Sequence, residues 1–180
     1  MRHLGNITVT QENVHNFPAA DEIFGHVVIG PGVKLVAPRL TLVRGWLTLM
    51  PGASLDAQQL GQVNGWLALK EDAILGSQYL RLVTNDMVLS PGAVAGAPIE
   101  RVGTLALQRG ASAVLPDLAR VNENLSLGAD ASLEAPKLEF VGRSITLREN
   151  AHLTVETLNH IGGFYDADET AKLMAPRFGA

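Results

Sequence analysis

Apolar residues recur along the chain with a period of about 20 residues, and this repeat organises almost the whole sequence. In one unit, Val43 is followed four positions later by Leu47 and Leu49, which are separated by one residue. Ala53 and Leu55 come next and complete the apolar pattern of the unit. The first column of the repeat reads Ile23, Val43, Val63, Val83, Val102, Val121, Val141 and Ile161.

The spacing within each unit predicts short β-strands, because apolar residues two positions apart lie on one face of a strand. Turn-forming pairs such as Pro51-Gly52 separate the strands. A unit of this size cannot bury its own apolar face, so the units must stack, and each strand column becomes a parallel sheet. The sequence therefore predicts an all-β, single-domain, right-handed parallel β-solenoid of about eight to nine coils.

The two ends of the repeat predict the boundaries of the domain. We expect residues 23–161 to form the regular coils, residues 1–22 an N-terminal cap with an irregular first coil, and residues 162–180 a C-terminal cap. Caps are needed because an open coil exposes unpaired strand edges. The side chains expected to plug the last coil are Phe164, Tyr165, Met174 and Phe178.

The period is interrupted once, in the middle of the chain. It shortens by one residue before Ile99 and by one more before Leu105, and then returns to about 20 residues. The register therefore slips only between Leu89 and Leu105.

The unit P-x-L-x-x-V-x-G-x-L-x-L-x-x-G-A-x-L resembles bacterial leucine-rich-type repeats and, more loosely, the solenoid of receptor L domains. The resemblance extends from about Phe17 to Phe178. The chain departs from leucine-rich repeats in two respects: it has one more residue between Val43 and Leu47, and it lacks a regular ladder of Asn or Cys after the strand. The resemblance implies a solenoid shape and a binding role, and it carries over no ligand and no catalytic residue.

Composition narrows the class of protein. Apolar residues make up 47% of the 180 residues and charged residues 18%, which excludes a disordered chain. A net charge of −4 gives no electrostatic reason to expect nucleic acid or an anionic membrane as partner. Cysteine is absent, so disulfides and thiolate chemistry are excluded. Without a membrane-length apolar run or a signal-peptide pattern, we expect a cytoplasmic protein.

The residues that carry chemistry form no recognisable motif. The five histidines are scattered without metal-binding spacing, so a metal site would need stacking to bring distant ones together. Neither a phosphate-binding glycine motif nor a G-x-S-x-G elbow is present. Acidic residues do not align on neighbouring coils, as Asp86 aligns with Trp66, and a glycosidase pair is not indicated. We therefore expect no enzyme, no catalytic residue, no cofactor and no metal.

The unusual feature is aromatic. If Leu47 and Leu49 point inward, Trp46 points outward, and Trp66 lies beside it on the next coil. Exposed apolar patches rimmed by polar groups typically mark an interaction site, and tryptophan is enriched among interface hot spots. The predicted interaction surface consists of two outward columns: His26, Trp46, Trp66 and Asp86 in one, and Val28, Thr48, Ala68 and Val88 in the other.

Several interpretations of this surface remain open. The leading one is a non-catalytic protein-binding module, an adaptor or an inhibitor of a larger assembly, whose partner is another protein or a second copy in a homodimer. Nucleic acid and membrane are not expected as partners. The alternatives are a carbohydrate-binding or carbohydrate-processing β-helix and a structural spacer. The tryptophans could also lie beneath the N-terminal segment and shield the sheet.

Overall fold

The computed structural model describes residues 1–176, and they form an all-β solenoid of about nine stacked coils. Neighbouring coils pair in parallel, so that Leu67 lies opposite Leu47 on one side and Met87 on the other. Within the described residues the only helix is a single 3₁₀ turn, Val14–Asn16. The predicted fold class is confirmed.

Two sides of each coil belong to one bent sheet of 16 strands. The first side consists of β1 (Arg2–Leu4), β3 (Glu22–Phe24), β6 (Leu42–Val43), β9 (Gln62–Val63), β16 (Arg120–Val121), β19 (Phe140–Val141) and β22 (His160–Ile161). The second side consists of β2 (Ile7–Val9), β4 (Val27–Ile29), β7 (Leu47–Leu49), β10 (Leu67–Leu69), β17 (Leu125–Leu127), β20 (Ile145–Leu147) and β23 (Tyr165–Ala167). Two longer strands, β12 (Leu82–Leu89) and β14 (Arg101–Leu107), run across both sides.

The third side of the solenoid is divided into two sheets of four strands each. The N-terminal sheet contains β5 (Lys34–Val36), β8 (Ser54–Asp56), β11 (Ile74–Gly76) and β13 (Val94–Gly96). The C-terminal sheet contains β15 (Ser112–Val114), β18 (Ser132–Glu134), β21 (His152–Thr154) and β24 (Lys172–Met174). In the first coil the 3₁₀ turn stands where the other coils have this third strand.

The inward columns of the repeat form one continuous core. Leu47, Leu67 and Met87 are fully buried at the centre of the second side, as are Val43 and Val63 on the first side. The residues between them point outward and remain partly exposed. Every second residue of each short strand points into the core. The alternation of apolar and polar residues in the sequence therefore corresponds to the alternation of inward and outward side chains.

The turn after the second side explains a column that departs from leucine-rich repeats. Gly52, Asp72 and Asn150 occupy it with φ angles of 67°, 56° and 53°. Glycine adopts this left-handed conformation freely, and Asn and Asp tolerate it better than other residues. The left-handed backbone conformation of the turn therefore accounts for the residue types in this column.

The last described residues continue the ladders. Strands β22, β23 and β24 pair with the preceding coil in the same register as elsewhere. Phe164 is 63% exposed and Met174 is exposed as well, so these two side chains do not plug the core as the sequence suggested. Phe164 and Met174 lie at outward positions of the repeat, whereas Tyr165 takes the register position of the buried Ile145 and is 44% exposed. Phe178 lies outside the described residues.

The N-terminal residues are more regular than expected on two sides. Strands β1 and β2 pair with β3 and β4, and the segment therefore extends the solenoid at its end.

The described residues contain no helix with the length and apolar composition that crossing a membrane requires.

Candidate functional site

The two tryptophans lie at the corner between the first and second sides, where glycine precedes each of them. A Cβ at Gly45 would collide with the Nδ1 atom of His26 and the carbonyl of Gly25. A Cβ at Gly65 would collide with the carbonyl of Gly45 and the indole of Trp46. These glycines let successive corners approach closely, which brings the outward side chains of neighbouring coils into contact.

The outward side chains of three neighbouring coils form a stack of aromatic rings. The ring centroids of Trp46 and Trp66 are 4.8 Å apart, with an angle of 7° between the ring planes. The His26 imidazole stacks on the opposite face of Trp46 at 4.1 Å and 18°. Stacking of this kind stabilises aromatic pairs beyond the area that they bury. The three rings therefore form one preordered unit, which we call the aromatic ladder.

Hydrogen bonds fix the histidine at the end of the aromatic ladder. The backbone N–H of Trp46 donates to Nδ1 of His26 at 3.0 Å, and the backbone N–H of His26 donates to Oδ1 of Asn6 at 2.9 Å. A ring nitrogen that accepts a hydrogen bond carries no proton, so Nδ1 is the acceptor atom of the imidazole in this contact. His26 thus positions both the ring and the backbone of Trp46.

The aromatic ladder lies on an uncovered sheet face. Trp46 is 43% exposed and Trp66 is 47% exposed. The neighbouring outward column is flat and partly exposed, and consists of Val28, Thr48, Ala68 and Val88. The N-terminal residues continue the ladders at the end of the solenoid and leave both tryptophans exposed. We use the name aromatic face for the aromatic ladder together with this column and Asp86.

The aromatic ladder ends at Asp86, where the corner changes. Asn85 replaces the glycine of the preceding coils, and β12 continues through the corner as a single strand. A shallow cavity of about 250 Å³ follows Trp66 on this side. Its lining is polar and consists of Trp66, Thr84, Asn85, Asp86, Gly103, Thr104 and Glu123. Within residues 1–176, neither Asp86 nor Glu123 forms an ion pair.

The structure thus brings all eight predicted interaction residues together on one face.

A second aromatic stack was not predicted. The rings of Phe140 and His160 lie 4.6 Å apart at the first side, and the guanidinium of Arg120 lies 3.8 Å from the centroid of Phe140. Their spacing of one repeat was the available signal in the sequence. In the part of the chain that the structure describes, no group of three or more His, Asp or Glu side chains is placed to hold a metal ion.

Comparison with known proteins identifies no relative of the chain. No family model matches it, and neither the curated proteins nor the solved structures contain a significant match.

Proposed function

We propose that this chain is a non-catalytic protein-binding module and that the aromatic face is its contact surface. The observation that carries the proposal is the pair of stacked, half-exposed tryptophans on a flat sheet. Large apolar side chains in an exposed patch typically mark an interaction site. The resemblance to leucine-rich-type repeats supports the same role, since such solenoids commonly present a flat or concave surface to a partner.

The preorder of the aromatic ladder favours binding. Side chains that become immobilised on association oppose it with lost rotamer entropy. Trp46 is held between two rings, and Trp66 is held on one side by Trp46, so little of that freedom remains to be lost. Each tryptophan side chain can bury about 150–250 Å². The two indoles therefore suit the centre of an interface of about 800 Å² per partner, and the flat column supplies the surrounding contacts.

A carbohydrate-binding role is the second candidate, and the cavity beside Trp66 is the observation that favours it. An indole face next to Asn85, Asp86 and Thr104 combines apolar stacking with hydrogen-bonding groups. Trp46 cannot contribute in this way because both of its faces are covered by other rings. The two candidates therefore differ in a testable way. Sugar binding would depend on Asp86 and Trp66 but not on Trp46, whereas protein binding would depend on both tryptophans.

The experiment compares association of the wild type with that of Trp66→Glu. We expect the wild type to form a dimer in light scattering or to retain a partner in native lysate, and Trp66→Glu to lose this association. Tyr79→Glu is the matched control, because Tyr79 is 50% exposed at a different corner of the solenoid. Equal association of all three proteins would contradict the proposal. Equal melting temperatures would show that the loss is not caused by unfolding.

A further inference from the structure

The third side of the solenoid is interrupted between β13 and β15. Elsewhere on this side each strand pairs with the next coil, but within residues 1–176 β13 pairs only with β11 and β15 only with β18. The shortened coil explains the gap. Ala95 and Ile99 are one residue closer in sequence than Leu75 and Leu80, and the register between β12 and β14 shifts between Val83 and Asp86. A shorter coil cannot follow the outline of its full-length neighbour on every side. We call the gap the slit.

Backbone hydrogen bonds that recur in the other coils are missing at the slit. The turn N–H of Gly52 donates to the carbonyl of Glu71, and the turn N–H of Gly110 donates to that of Ala129. Among the residues that the structure describes, Gly92 has no corresponding bond. Similarly, Ser132 donates its N–H to the carbonyl of Ala111, whereas Ser112 makes no such bond to Ala93.

The missing bonds leave the backbone N–H and C=O groups on one edge of β15 without partners among residues 1–176. Ala111 and Leu115 bond to β18, so the N–H and C=O groups of Ser112 and Val114 point the other way, into the slit. On the opposite wall, the carbonyl of Ala95 accepts the N–H of Ala97 at 2.9 Å within its own coil. The edge of β15 therefore offers two donors and two acceptors spaced for a parallel strand.

The floor of the slit lacks the leucine that other coils provide. Leu55, Leu75 and Leu133 are at most 1% exposed in the inward column of the third side. The two positions at the slit are Ala95 and Ala113, and both are partly exposed. A cavity of about 240 Å³ lies above them, lined by residues 93–95 and 112–115. The slit thus combines an open strand edge with an apolar depression large enough for a side chain.

The walls of the slit carry none of the usual protection of a strand edge. Natural proteins place charged side chains on exposed edges to prevent pairing with other chains. Here β13 and β15 contain no charged residue, and Val94 and Val114 are 51% and 60% exposed. Near the rim, Asp117 is paired with Lys137 at 2.7 Å, and Glu134 lies opposite Val114 on the side of β15 away from the slit. An uncharged partner segment matches this lining.

We propose that the slit binds an uncharged, extended segment of another protein, which adds a parallel strand to the edge of β15. The segment residue opposite Ala113 donates its N–H to the carbonyl of Ser112 and accepts the N–H of Val114. Its side chain, of leucine size, points inward and covers Ala95 and Ala113. Strand addition of this kind takes affinity from backbone hydrogen bonds and specificity from alternate side chains. The proposal does not depend on the aromatic face, which lies on another side of the solenoid.

Two variants of this chain separate the slit from the rest of the surface. Ala113→Leu restores the leucine of the other coils, so the variant should fold at least as stably as the wild type while filling the depression. Ser54→Val alters the same side of the solenoid in a coil whose ladder is closed and serves as the control.

The test selects displayed random heptapeptides on the wild type. We expect enriched peptides to share one central Leu, Met or Phe and to lack Pro near it. Their affinity should fall about tenfold or more on Ala113→Leu, or when the central residue is N-methylated, and should be unchanged on Ser54→Val. Failure to enrich peptides on the wild type above the Ala113→Leu background would overturn the proposal. A wild-type dimer that Ala113→Leu converts to monomer would also overturn it, by identifying a second copy as the occupant.

Amide hydrogen exchange tests the open edge directly. In the free protein the N–H groups of Ser112 and Val114 should exchange faster than those of Ser132 and Glu134, which lie at the equivalent positions one coil later. A selected peptide should slow the first pair. Equal protection of both pairs without peptide would mean that the slit is closed and would refute the proposal.

Discussion

Truncation of Leu67 tests the stacked core. Leu67 is fully buried and lies between Leu47 and Met87 of the neighbouring coils. A buried Leu→Ala change costs about 2–5 kcal/mol, and the cost is larger where the surroundings cannot collapse. Because hydrogen-bonded ladders hold neighbouring strands about 4.8 Å apart, collapse along the solenoid is restricted. We therefore expect Leu67→Ala to lower the free energy of unfolding by about 3–5 kcal/mol.

Thermal and urea denaturation measure this effect. For a domain of this size each kcal/mol corresponds to about 2–4 °C, so Leu67→Ala should lower the melting temperature by about 6–20 °C. Ser126→Asp is the control on an outward, partly exposed position of the same sheet, and should change the stability by less than about 0.5 kcal/mol. Similar melting temperatures for the two variants would refute the inward and outward assignment.

Three further predictions concern the corners, the last coil and the secondary structure. Gly65→Ala should destabilise the protein by about 1–3 kcal/mol and weaken the near-ultraviolet circular dichroism of the stacked tryptophans, because the new Cβ collides with the Gly45 carbonyl. Gly61→Ala is the control, since its Cβ has room, and it should leave both the stability and this signal unchanged. Equal effects of the two variants would contradict the close approach of the corners. The N–H and hydroxyl of Thr170 bond to Asp168 and lower the pKa of its carboxyl, so this contact stabilises the fold above the ordinary aspartate pKa and is lost as pH falls through the lowered pKa. Asp168→Asn keeps the acceptor and should abolish the acid titration of the Thr170 amide signal, and an unchanged titration would exclude this carboxyl as its cause. Far-ultraviolet circular dichroism should show β-structure with little helix, and a helical fraction near one third would contradict the solenoid.

The fold could be predicted from the sequence because each coil repeats the same contacts. A residue such as Leu67 contacts its equivalents in the coils before and after it, so the period of about 20 residues predicts directly which side chains are in contact. The exposure of Trp46 and Trp66 followed from the same alternation. Phe164 shows where the prediction went wrong: aromatic composition suggested a plug, although its place in the repeat indicated an outward position.

The details of the two sites could not be predicted in the same way. The stacking of His26 on Trp46 depends on side-chain torsions and on a corner tight enough to exclude a Cβ, neither of which a period describes. The shortened coil was visible before Ile99 and Leu105, but a loss of two residues at two corners does not specify which ladder opens. That outcome depends on how the remaining backbone bonds distribute the mismatch around the coil.

The most direct test of the proposed function is association through the aromatic face. Wild type, Trp46→Ala/Trp66→Ala and Tyr79→Glu should be compared by light scattering and by quantitative capture from native lysate at equal concentration. We predict that the wild type and Tyr79→Glu form the same dimer or retain the same partner, and that the double variant is monomeric, retains no partner and keeps its fold by circular dichroism. Three monomeric proteins that retain identical sets of proteins would contradict the assignment of the aromatic face as a binding surface.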